Sequence, residues 1–208
     1  GKGGIFVAGA TGESARRLSE FGFHPSWSPD GQRLVFGTER IASPLARIST
    51  SELWIVEVKA GATPVKLFAG DAAQPAWSPN NKRIAFWRVG KGAQRDIATI
   101  PVAGGDPVAV TDDTDVDWGP KWSGDGRYLY FASGRGVAIN IWRVEINEAT
   151  GAALGPPEPV TQGVSSSRDV TVSRDGSRIA FTSASASTNP VAIPFVEAAE
   201  KLRMPKAP

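Results

Sequence analysis

Cysteine is absent from the 208-residue chain, and histidine and methionine occur once each. Without cysteine there is neither a disulfide framework nor a thiolate metal site. With His24 as the sole histidine, no HExxH or two-histidine metal pattern can be built, and a Ser–His–Asp triad would depend on that one residue. No G-x-S-x-G nucleophile elbow occurs, and the glycine–lysine segments GKGG (from Gly1) and GKGAQ (from Gly90) lack the strand–loop–helix setting of a phosphate loop. No 18-residue apolar run is present, so no membrane-spanning helix is expected. Charge of one sign is also scarce. With 23 basic and 21 acidic residues the net charge is +2, and no basic block reaches five residues, which argues against a nucleic-acid partner. These absences lead to the expectation of a non-catalytic chain with no cofactor and no metal site.

What the chain does have is repetition. The pattern WSPDGQRLVF at Trp27 returns as WSPNNKRIAF at Trp77, WSGDGRYLYF at Trp122 and VSRDGSRIAF at Val172. Each copy ends in a phenylalanine, at Phe36, Phe86, Phe131 and Phe181. In the first copy Pro29 presets φ for a turn, Asp30 can bond its own backbone and Gly31 can take positive φ. Asn81 stands at the glycine position of the second copy, where asparagine is the best non-glycine choice. The copies predict strand, tight turn, strand. LWIVEV from Leu53, DIATIPV from Asp96 and NIWRVEI from Asn140 add a third strand, and PVKLF, PVAV and PVTQ a fourth. Four short, apolar strands per unit, buried on both faces, describe propeller blades.

With its matched tryptophan and phenylalanine positions, the repeat resembles the TolB-like β-propeller family, over nearly the whole chain. The resemblance implies an all-β propeller of four-stranded antiparallel blades in a ring of six or more. The repeats are expected around residues 24–70, 74–112, 118–162 and 169–196, the last with a third strand near Val191–Val196. Residues 4–20 would supply the outer strands of a preceding blade. About four blades are therefore expected, as an open arc belonging to a longer polypeptide with sequence before Gly1 and after Pro208. VEAAEKL, from Val196, could add a helical turn.

Several residues stand out against this frame. Trp27, Trp77 and Trp122 share a repeat position, and Trp54 and Trp142 share another, so all five are expected to pack between blades. Trp87 and Trp118 are off-register, and core packing is the expected role for them too. Asp113, Asp115 and Asp117 alternate as in a calcium loop, but Trp118 and Gly124 stand where glycine and glutamate are needed, so a solvated loop is expected. Packing leaves free the residues before each inner strand, which face the channel mouth in this architecture. These are His24, Gln74, Gly119 and Asp169, preceded by Phe23, Ala73, Trp118 and Arg168.

The candidate binding set is His24, Gln74, Asp117, Trp118, Arg168 and Asp169. Its mixed polarity suits a peptide or small polar ligand, although such groups can also simply hydrate a channel. The longer loops at 41–52 and 147–159 are alternative recognition elements. The resemblance implies a protein- or peptide-binding scaffold or sensor module. The alternative is the gating propeller of a prolyl-oligopeptidase-type serine peptidase. Cysteine usage selects no compartment, and the resemblance leans towards a periplasmic or other extracytoplasmic one.

Overall fold

The computed structural model describes residues 4–184, apart from 42, 48, 91–93 and 164–165. The strand expected near Val191–Val196 and the helical turn from Val196 lie outside the described residues.

Among the described residues, sixteen strands form five antiparallel sheets. A two-stranded pair comes first, β1 (Ile5–Val7) with β2 (Arg16–Ser19). The first four-stranded blade holds β3 (Phe23–Trp27), β4 (Arg33–Gly37), β5 (Leu53–Glu57) and β6 (Val65–Phe68) in chain order. The second holds β7 (Ala73–Trp77), β8 (Arg83–Val89), β9 (Arg95–Pro101) and β10 (Val108–Ala109). The third holds β11 (Asp117–Trp122), β12 (Tyr128–Ser133), β13 (Asn140–Glu145) and β14 (Glu158–Pro159). A last pair, β15 (Ser166–Val172) with β16 (Ile179–Ala184), follows. The ring is not closed, and the two terminal pairs are not hydrogen-bonded to each other.

The repeated turns close with one chemistry. Ser28 Oγ donates to Asp30 Oδ1 at 2.6 Å and accepts from Arg33 N, while Asp30 Oδ1 accepts from Gln32 N. Ser123–Asp125 and Ser173–Asp175 repeat this. These hydroxyl bonds hold each turn aspartate below the usual carboxylate range, Asp175 at about 2. Asn80 replaces the aspartate in the second copy, and Glu148 of the 147–159 loop holds it by bonds to its N–H and carboxamide. The fourth turn position lies at φ between 59° and 75° in all four copies, with Asn81 standing among three glycines.

Side chains alternate along each second strand. Leu34 and Phe36 pack with Ile5 and Leu18 of the preceding pair, whereas Val35 packs with Ile84 and Phe86 of the next blade. Ala85 and Trp87 then join Leu129, Phe131 and Ile141. Both faces of the middle strands are thereby buried, which explains their lack of polar alternation.

The expectation that every repeat buries its tryptophan and phenylalanine is corrected at both ends. Phe36, Phe86 and Phe131 are fully buried, and Trp77 and Trp122 nearly so, but Trp27 is 50% exposed and Phe181 42%. Trp122 Nε1 donates to Ala76 O of the preceding inner strand. Among the described residues Trp27 has no such neighbour, since only the β1–β2 pair precedes its blade there. Phe131 pairs across β12 with Trp142 of a third strand. The described residues of the last sheet include no third strand to cover Phe181.

Candidate functional site

Each inner strand carries the same irregularity. The register shifts between Phe23 and Ser26, Ala73 and Ala76, Trp118 and Lys121, and Arg168 and Thr171. At each shift one residue enters the left-handed region: His24 at φ 53°, Gln74 at 48°, Gly119 at 65° and Asp169 at 55°. Three of these four are not glycine, so the backbone holds them at a cost that glycine avoids. The bulges re-aim their side chains. His24, Gln74 and Asp169, with Trp118 and Gly119, line one cavity of about 430 Å³.

The structure thus brings His24, Gln74, Trp118 and Asp169 together and leaves two of the candidate residues elsewhere. Arg168 is exposed and is not part of the cavity lining; its carbonyl accepts from Thr182 Oγ1. Asp117 is fully buried and engaged by Arg135 through both guanidinium N–H groups, at 2.9 and 3.0 Å. Trp118 lines the cavity while remaining in the core, and Trp87 is wholly buried.

Lys121 on β11 is the residue that the sequence reading missed. It lines the same cavity. Its position, directly before the repeated tryptophan, holds Ser26, Ala76 and Thr171 in the other copies. A lone charge at an otherwise small position was the available signal. Lys121 is exposed towards the cavity, yet the surrounding protein lowers the pKa of its ammonium by desolvation, partly offset by Asp169.

Framework donors fix the other polar groups. Ile41 N–H donates to His24 Nε2 at 3.1 Å, and Trp87 Nε1–H donates to Gln74 Oε1 at 2.7 Å. Burial, followed by the nearby Lys121 charge, lowers the pKa of His24 and favours neutral imidazole. Asp169 Oδ2 accepts from Thr182 Oγ1 at 2.7 Å.

The alternating aspartates make a partly buried ion cluster. Arg135 engages Asp113, lies 3.7 Å from Asp115 and forks onto Asp117. Carboxylate oxygens of Asp96, Asp113 and Asp117 lie within 4.8 Å of one another, the one grouping among the described residues that could ligate a metal. Arg135 already supplies the balancing positive charge there. Burial raises the pKa of Asp117 to about 6, against the opposing bond from Ser133 and the charge of Arg135. The expected solvated loop is in this respect replaced by a partly buried network.

The 41–52 loop also folds back onto the blades. Arg47 is buried between Glu39 and Asp71 and stacks 4.9 Å over Trp87. Arg95 of the second blade donates to Pro44 O and Leu45 O. The described residues of the segment are therefore anchored to the first and second blades.

Comparison with known proteins settles the family. Residues 45–203 match the TolB beta propeller domain. The chain belongs to that family. The dipeptidyl-peptidase 5 of Porphyromonas gingivalis is 26% identical over 159 residues, covering 72% of this chain and 22% of the relative. The uncharacterized peptidase YuxL of Bacillus subtilis is 28% identical over 151 residues, 70% of this chain and 22% of the relative. The chain thus spans about a fifth of the length of these curated relatives. The crystal structure of TolB from Acinetobacter baumannii superposes with a TM-score of 0.69 at 20% identity, over 86% of this chain and 42% of that one. At that identity the likeness carries the propeller fold alone.

Proposed function

We propose that this TolB-like propeller is a non-catalytic binding module that takes a protein segment or peptide at its channel mouth. The supporting observation is the set of four equivalent bulges, three of which hold a polar non-glycine residue in left-handed geometry beside one cavity. Backbone strain repeated at equivalent positions, with different side chains in each blade, fits a scaffold whose packing is fixed and whose mouth is free to specialise. The cavity volume lies in the range of ligand sites. The module acts as a scaffold or sensor within a longer polypeptide, in an extracytoplasmic setting.

Retention of peptides from a tryptic casein digest on the immobilised full-length protein, read by mass spectrometry, tests this. Retention is expected, and it should be lost in the double variant His24→Ala, Gln74→Ala. Retention unchanged by that variant but lost on altering residues 41–52 would move the site to the loop and overturn the reading.

A second reading is favoured by the printed names of two relatives, both peptidases. On it, the propeller gates a prolyl-oligopeptidase-type hydrolase encoded outside these 208 residues. The 208-residue chain by itself should then release no p-nitroaniline from Gly-Pro-p-nitroanilide, while the full-length protein should. Turnover by the chain alone that vanishes in His24→Ala would contradict both readings.

A further inference from the structure

The cavity wall is uneven in hydrogen-bonding sense. His24 Nε2 accepts from Ile41 N–H, so in the neutral ring the proton sits on Nδ1. Indole N–H only donates, so Trp87 fixes Gln74 with Oε1 towards it and leaves both carboxamide N–H groups available. Lys121 Nζ adds three more donors. Among the described residues, none of these donors has a protein partner, and Lys121 feels Asp169 without forming an ion pair with it. The framework has used the acceptor ends of the histidine and the glutamine and turned their donor ends free in two consecutive blades, and Lys121 adds its ammonium from the third. Asp169, the fourth bulge residue, is the one charged acceptor of the cavity, and its Oδ2 is already bonded by Thr182.

We propose that the wall formed by His24, Gln74 and Lys121 recognises a carboxylate, carried by a peptide as its C-terminus or as an acidic side chain. This rests on the channel-mouth reading above and names the chemistry of its ligand. A carboxylate offers two oxygens and no donor, which complements three donor-ended groups. It would also add a second negative charge, beside that of Asp169, to offset the desolvation of the Lys121 ammonium. An amine or guanidinium would meet donors on three sides and find Asp169 alone.

Calorimetric titration of the full-length protein with three probes tests the assignment: N-acetyl-Ala-Ala, its C-terminal amide, and N-acetyl-Ala-Glu-Ala-amide. The free acid should bind about 10- to 100-fold more tightly than the amide, the range expected for a charge-assisted hydrogen bond. Tighter binding of the glutamate probe than of the acid would assign the carboxylate to a side chain, and the reverse order to a C-terminus. Lys121→Met should remove the preference for acid over amide. Gln74→Glu, which replaces the free donors by an anion, should do the same, and Asp169→Asn should strengthen binding of the acid. A merely structural role for these residues would not produce opposite signs. Equal affinity for acid and amide, both lost in the His24→Ala, Gln74→Ala variant, would overturn the carboxylate assignment and leave the channel-mouth reading standing. Absence of binding by all three probes, together with no peptide retention from the casein digest, would overturn both.

Discussion

The second blade and the terminal β15–β16 pair are built on two copies of one repeat, WSPNNKRIAF and VSRDGSRIAF, which both end in RIAF. Both fold into a strand, a left-handed turn and a strand, yet Phe86 is fully buried and Phe181 is 42% exposed. The repeat therefore encodes the local hairpin, and the neighbouring strands supply the burial. A phenylalanine at the same repeat position has a different energetic role depending on which third strand and which adjacent blade cover it.

The largest effect expected from this contrast lies in the core. Phe86→Ala or Phe131→Ala should cost about 3–5 kcal/mol, the usual range for a buried aromatic, whereas Phe181→Ala should cost under about 1 kcal/mol. Denaturant unfolding of the three variants checks this. Equal losses would mean that a further strand covers Phe181 in solution.

The turns should behave alike in both regions, since their chemistry is local. Gly31 and Gly176 lie at φ 69° and 71°, with nothing within 4 Å of an added Cβ. Alanine at either site adds only the left-handed backbone penalty, roughly 1–2 kcal/mol. Native-state hydrogen exchange of the hairpin amides should show the same loss of protection in both. A loss confined to Gly31→Ala would show that the terminal hairpin opens without its neighbours.

The smallest effect is that of pH. Burial raises the folded pKa of Asp117 to about 6, above the 3.8 of an ordinary aspartate, so between those values the folded protein binds more protons than the unfolded chain. Its contribution to stability should fall as pH rises through that window and then level off. The turn aspartates act with the opposite sign, because their folded pKa values are lowered and their contribution is lost as the medium becomes acidic. Comparing melting temperatures of the parent and Asp117→Asn from pH 4 to pH 7 isolates the first component. An unchanged slope in the variant would contradict the assignment.

The fold was legible wherever the determinants are local. The serine–aspartate turns and the asparagine at position 81 follow from residue chemistry, and the lack of polar alternation already implied strands buried on both faces. Register arithmetic likewise picked out His24, Gln74, Gly119 and Asp169 as equivalent positions, although nothing in the pattern revealed that they sit on bulges in left-handed geometry. Partners distant along the chain were not legible. Asp117 looked like part of the mouth, but Arg135, eighteen residues on, turns it inward. Trp27 looked like a core tryptophan, but its burial depends on a preceding inner strand, and the described residues hold only the β1–β2 pair before its blade. Lys121 was hidden because the tryptophan beside it dominates the motif.

On the proposed function the ligand enters the channel-mouth cavity and not the outer surface. The indole N–H of Trp87 reports on it directly, since it donates to Gln74 at the cavity wall while the ring itself is wholly buried. Trp54 on the third strand of the first blade, whose indole donates to Glu52, serves as the control. Titration of the 15N-labelled protein with N-acetyl-Ala-Ala should shift the Trp87 indole resonance and leave that of Trp54 in place. A saturable shift at Trp54 with none at Trp87 would contradict the claim.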